Sequence, residues 1–119
     1  MHIIYKAKEY ECPFLLAIDL ISGKWKALIL WYLSQETLRY GELKKHLGKI
    51  TQKMLTQTLR ALEEDKLITR KVYAVVPPKV EYSITKNGSK LIPIFHLLQE
   101  WGEDMGEVLL DKNISCKTL

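Results

Sequence analysis

The sequence predicts a mainly α fold with a small β component (α+β): a winged helix-turn-helix carrying additional N- and C-terminal helices. Three observations predict it. Two amphipathic helical segments are joined by only about three residues, Gly48 to Ile50. A basic hairpin tipped by Pro77-Pro78 follows them directly. Apolar helical segments then flank this unit on both sides, over about residues 12–21 and 86–110. The 119 residues hold no repeat, low-complexity tract or Gly/Ser linker, so one domain is expected over 1–119, with the helix-turn-helix core at about 24–85.

Each element has a local reason. "CPFLLAIDLI" (12–21) opens with Pro13, which suits a first helical turn, and sets Leu15, Ile18, Leu20 and Ile21 on roughly one side. Ser22 is a suitable cap for the next helix, "GKWKALILWYLSQ", which is apolar nearly all round and therefore central. "TLRYGELKKHLG" reads as a short extended piece and a two-turn helix with Leu43 and Leu47 at i, i+4, ended by Gly48. Thr51 caps the following helix, which runs to about Asp65. Val80, Tyr82 and Ile84 alternate with Glu81 and Ser83 as in a strand, and Leu67–Val75 supplies its hairpin partner. Pro77 and Pro78 cannot donate to a ladder and belong in the turn. Thr85 caps a last helix, in which Pro93 predicts a bend. Leu91, Phe95, Leu98, Trp101, Met105 and Val108 form its apolar stripe, widened by Ile92, Leu97 and Leu109 beyond the needs of a small domain.

The net charge of +4 is unevenly spread. Residues 39–90 hold twelve Lys/Arg against five Asp/Glu, whereas the remainder is net acidic. A polyanionic partner for the middle of the chain is thus favoured, with a plain solvated face as the alternative. No run of about 18 apolar residues spans a membrane. The start, "MHIIYKAKEYECP", shows no secretory signal, so a cytoplasmic location is expected. Cys12 and Cys116 lie far apart, His2, His46 and His96 are scattered, and no metal or cofactor motif appears. With no acid/base pair or activated nucleophile, an enzyme is the class with least support.

The helix at 51–65 has a divided surface. Leu55, Leu59 and Leu62 recur at i, i+4, i+7 and should face the core, with Met54 beside them. The other face holds Thr51, Gln52, Lys53, Thr56, Gln57 and Arg60. Gln pairs with adenine, Lys or Arg with guanine, and a Thr methyl touches the thymine methyl, so this helix is the candidate reader of a major groove. Lys24, Lys26, Arg39, Lys44 and Lys45 are candidate phosphate contacts, Arg39 beside Tyr40 the best placed. Arg70, Lys71 and Lys79 would set the wing against the backbone or minor groove. A wing that merely covers the core competes with that role. Trp25, Trp31, Trp101 and Tyr32 read as aromatic core rather than as the lining of a small-molecule pocket.

The segments "GKW", "RYGEL", "ITQKMLTQTLRALEEDKLI", "VPPKVEYSIT" and "LIP…WG", in order within about residues 12–103, resemble the HxlR-type winged helix-turn-helix family of bacterial transcriptional regulators, a MarR-like group. The resemblance implies homodimeric binding to double-stranded DNA at a two-fold related site and control of transcription, often repression. It assigns the dimer interface to the terminal helices, hence to Leu91, Ile94, Phe95, Leu98, Trp101 and Met105, with help from the 12–21 helix. It also implies a possible oxidant or electrophile effector, because family members sense such agents through a cysteine in the "CP" that Cys12-Pro13 matches. A helix start favours an anionic thiolate there, while Glu9 and Glu11 oppose one. A Cys12–Cys116 bridge across the dimer is a further expectation. Two rivals stand beside the regulator: a non-specific architectural nucleic-acid binder and a winged-helix protein-interaction module.

Overall fold

The structure, a computed structural model, describes residues 2–110. Its order is β1 (Ile3–Tyr5), β2 (Lys8–Tyr10), α1 (Pro13–Ile21), α2 (Lys24–Leu33), β3 (Leu38–Arg39), α3 (Tyr40–Leu47), α4 (Gln52–Glu64), β4 (Ile68–Tyr73), β5 (Lys79–Ile84), α5 (Lys86–Ser89) and α6 (Ile92–Leu110). The expected winged helix-turn-helix and both terminal helical regions are present. β3, β5 and β4 form an antiparallel sheet in that order, with Leu38 opposite Tyr82 and Val72 opposite Val80.

α2 is central: Ile29, Leu30 and Leu33 are buried against Leu43 and Leu47 of α3, the inner face of α4, and Ile68 and Tyr82 of the sheet. The reverse at the end of α4 is locked by backbone bonds. Lys66 N–H donates to Glu63 C=O and Leu67 N–H to Leu62 C=O, a Schellman pair with buried Leu62 and Leu67 in contact range of one core. Lys66 adopts a left-handed φ of 62° at the position glycine usually fills. Thr85 spans the same junction, its hydroxyl donating to Lys66 C=O at 2.7 Å and accepting from Gly88 N–H at 3.0 Å. Gly88 is packed so closely that a Cβ would strike the Leu67 carbonyl.

Several expectations are corrected. Residues 3–10 form a hairpin that sequence patterning did not anticipate. Its turn, Lys6-Ala7, takes positive φ at both positions without the usual Asn-Gly or Gly-Gly. Ser22 does not cap α2. Its hydroxyl donates to Asp19 C=O, closing α1, and Gly23 with φ 98° stands at the start of α2. The last helix is divided into α5 and α6, because Pro93 falls in the first turn of α6, where its missing N–H has no helical partner to lose. Pro93 thus begins a helix rather than bending one. Met54 is 42% exposed. The inward place belongs to Thr58, three residues after Leu55 and four before Leu62, whose hydroxyl donates to Met54 C=O at 2.7 Å.

Phe95, expected on a dimer face, is 6% exposed and meets the ring of Trp31 edge-on at a centroid distance of 6.3 Å. It is the anchor of α6 on the core, and a residue so enclosed has no surface to offer a second copy. Leu91 also packs against the core and Met105 is half-buried. Ile94, Leu97, Leu98, Trp101, Val108 and Leu109 remain exposed, as do Phe14, Leu15 and Ile18 of α1.

Candidate nucleic-acid interface

The turn between α3 and α4 is built from small devices. Glu42 accepts from Arg39 N–H at 2.8 Å and so caps α3. Gly48, with φ 64°, turns the chain, its N–H donating to Lys44 C=O at 3.1 Å. Buried Ile50 pins the link to the core. Thr51 Oγ1 accepts from Met54 N–H at 3.0 Å, opening α4 as expected.

Along α4, Leu55, Leu59 and Leu62 are buried while Gln52, Lys53, Gln57 and Arg60 are exposed. Thr56 is half-buried, and its hydroxyl pairs with the Tyr40 hydroxyl at 3.2 Å. Tyr40 also donates to Gln52 C=O at 3.1 Å, so α3 braces the first two turns of α4. Thr56 and Tyr40 therefore hold the helix in place, and Gln52, Lys53 and Gln57 are the side chains left free at its start.

On the wing, Arg70 and Lys71 are exposed and Lys79 is half-buried. Lys71 and Lys79 each place Nζ 4.8 Å from the centroid of the Tyr73 ring. Lys79 also lies 3.5 Å from Glu81. A hydrogen bond from Tyr73, helped by Lys79, holds the Glu81 carboxyl below its ordinary range. Arg70 Nε lies 3.7 Å from Glu63 Oε1 across the gap to α4.

The phosphate candidates on α2 separate. Lys24 is exposed, its Nζ 4.7 Å over the Trp25 ring. Lys26 is half-buried, and its charge helps to lower the carboxyls of Asp19 and of Asp65, the latter at the opposite end of α4 from Gln52 and Gln57. Those carboxylates belong to a cluster that sequence reading missed, since its members lie in three distant segments. Tyr5 O–H donates to Asp65 Oδ1 at 2.6 Å, and Lys6 Nζ lies 2.9 Å from the same atom. Lys8 and the Tyr10 hydroxyl both bond Asp19 Oδ2, at 2.9 and 2.8 Å. The N-terminal hairpin is thereby tied to α1 and to the C-terminus of α4. Cys12 is an exposed thiol at the N-cap of α1. Cys116, and any bridge from it to Cys12, lie outside the described residues.

A helix pair in this geometry, with a free polar face on the second helix and a basic hairpin beside it, defines a winged helix-turn-helix DNA-binding regulator. Comparison narrows this. The HxlR-like helix-turn-helix family profile matches residues 20–109, and the chain belongs to that family. It is 46% identical over 102 residues to the uncharacterized HTH-type transcriptional regulator YdeP of Bacillus subtilis, covering 85% of this chain and 80% of YdeP. Among solved structures it is similar to the redox regulator HypR in its reduced form, with 42% identity, a TM-score of 0.79, and coverage of 85% of this chain and all (100%) of that one. Reduced YodB, a transcriptional regulator from B. subtilis, matches at 31% identity and a TM-score of 0.73, over 83% of this chain and 98% of that one. The chain is a transcriptional regulator with a helix-turn-helix DNA-binding domain. No helix among its described residues is long and apolar enough to cross a membrane.

The hairpin anchor makes stability depend on acid. Burial works to raise the Asp65 carboxyl, but the hydrogen bonds from Tyr5 and Lys6 outweigh it and hold the group below its ordinary 3.8. A depressed carboxyl stabilises the fold fully above the unfolded value, and the contribution is lost as pH falls through the lower folded value. Urea midpoints should therefore drop below about pH 4. Tyr5→Phe should lower the midpoint at pH 6 more than at pH 3; an equal loss at both would count against the anchor.

Proposed function

We propose that this chain is a homodimeric, sequence-specific DNA-binding regulator that represses transcription by occupying a two-fold related site in double-stranded DNA. The observation that carries the reading is the free, bonded-from-behind face at the start of α4, with Gln52, Lys53 and Gln57 offered to base edges. The exposed apolar faces of α1 and α6 support pairing of two copies, Trp101 at 63% exposure being the largest side chain there. The radius of gyration, 16.1 Å, supports it too, exceeding the about 13.5 Å of a compact chain this long. Cys12 is the proposed oxidant-responsive thiol, supported by its exposure and by likeness to the redox regulator HypR.

Selection from random DNA tests the core of this. Half-sites about 34 Å apart should be enriched. Enrichment of no motif would favour the architectural binder, and no binding even at low salt the protein-interaction module. Gln57→Ala should cost about 1–3 kcal/mol on the selected site and little on random DNA. Lys71→Ala should weaken both alike and lower the salt slope by about one unit. Light scattering at micromolar concentration should give a dimer for the wild type and a monomer for Trp101→Asp; a monomeric wild type would end the pairing claim. Diamide with glutathione should form a mixed disulfide at Cys12, diamide being reduced to the hydrazine, and lower DNA affinity in the wild type but not in Cys12→Ser. Unchanged affinity after confirmed modification would remove Cys12 from the mechanism.

A further inference from the structure

A cleft of about 190 Å³ opens between α4 and the wing, lined by Thr56, Leu59, Arg60, Glu63, Arg70 and Tyr82. Its chemistry is not that of a base-reading surface. Tyr82 as a whole is 8% exposed, but no enclosed side-chain polar atom among the described residues lacks a hydrogen-bond partner, so its hydroxyl, which makes none of the side-chain bonds, touches solvent at the cleft. The charged and titratable groups that act on it electrostatically are Arg70, Glu63, Tyr40 and Arg60. A hydroxyl left without a protein partner at the wall of a cleft is free to donate to a guest there. Burial pushes its pKa up, so the oxygen keeps its proton as a donor. Arg60 makes no ion pair among the described residues. Arg70 meets Glu63 through Nε alone, at 3.7 Å, which leaves most of its five N–H donors free. Thr56 is committed to Tyr40. Two guanidinium groups and one phenol thus converge from the helix and both wing strands, opposed by the single carboxylate of Glu63.

We infer that this cleft binds one phosphate group, held between the Arg60 and Arg70 guanidinium groups with the Tyr82 hydroxyl donating to a further oxygen. Donors from three directions suit a tetrahedral oxyanion better than a planar base edge. A helix in the major groove and a wing beyond it straddle one backbone strand, so on DNA the group is a backbone phosphate; that source rests on the DNA-binding reading above. A free phosphate reaches the same donors without DNA. Arg60 then fixes the register of α4 and does not read sequence. Glu63 competes with the anion for Arg70 and sets its affinity.

Inorganic phosphate titrated into the full chain at low ionic strength, against chloride at matched ionic strength, tests the free source. Side-chain NMR signals of Arg60 and Arg70 should shift saturably. Affinity should fall about ten-fold in Arg60→Gln and clearly in Tyr82→Phe, and rise several-fold in Glu63→Gln. Methylphosphonate placed at each backbone position of the selected site tests the DNA source. One position per half-site should cost the wild type about ten-fold and cost Arg60→Gln nothing further. Phosphate shifts in a protein that binds no DNA would keep this site and discard the DNA reading. Conversely, DNA binding with neither phosphate saturation nor methylphosphonate coupling would overturn the site and leave the regulator intact. An altered base preference in Arg60→Gln would overturn it as well, since that residue would then be reading bases.

Discussion

The burial of Leu55, Leu59 and Leu62 against α2 and the sheet is the constraint on which the rest of the molecule depends. Each buried leucine is worth about 1.5–3 kcal/mol, so three outweigh the roughly 1 kcal/mol of the Thr51 cap or the net gain of any one bond around α4. The leucines therefore set the rotation of the helix, and the cap only sets where it begins. Once that rotation is set, Lys53 and Gln57 must face outward, because 3.6-residue periodicity leaves them nowhere else, whereas Gln52, seven residues before Leu59, lies on the leucine side and is exposed as the first residue of the helix. The polar braces act on a finer scale. Tyr40 reaches both Gln52 C=O and Thr56 Oγ1, which fixes the first two turns against α3.

The two ends of α4 are electrostatic opposites. At its start the unbonded N–H groups, Lys53 and the positive dipole end attract an anion. At its finish Glu63, Glu64 and Asp65 gather carboxylates next to the negative dipole end, an unfavourable placement on its own. The N-terminal hairpin answers it with Tyr5 and Lys6 on Asp65, and with Lys6 again on Glu64 at 3.4 Å. The Asp65 side chain is 4% exposed, so its pairing with Lys6 matters far more than that of Glu64, whose own side chain is 67% exposed. The strands that precede α1 are thus joined to the C-terminal end of α4 by one buried carboxylate.

Periodic elements were legible in the sequence because their signal is local. The leucine stripe of α4, the Thr51 cap, the Gly48 stop and the proline-tipped hairpin all stand where patterning puts them. What escaped reading was set by tertiary contact. Residues 3–10 carry no Asn-Gly or Gly-Gly turn, and their strands are held by Asp19 and Asp65 far along the chain. Thr58 looks polar in sequence and is buried because its hydroxyl bonds back to Met54 C=O. Phe95 shares the spacing of an exposed stripe but meets Trp31, a contact no periodicity encodes. At the candidate interface, the exposed Lys53 and Gln57 positions followed from the stripe, while Gln52, Tyr82 and Glu63 did not. A strand tyrosine reads as core, and only the sheet register that sets Tyr82 opposite Arg70 brings its hydroxyl to the cleft.

The same register gives the wing two functions at once. Pairing Arg70 with Tyr82 and Lys71 with Glu81 turns alternate residues of β4 toward α4 and away from it. Arg70 falls on the side of Glu63 and Arg60, whereas Lys71 joins Lys79 over the Tyr73 ring. One short strand thereby supplies a cation to the cleft and another to the outer surface. A slip of one residue would exchange them and turn buried Ile68 outward, losing core burial at the same stroke. The apolar packing that holds the sheet together is therefore also what holds the charges of the wing in their places, with no ion pair required to do it.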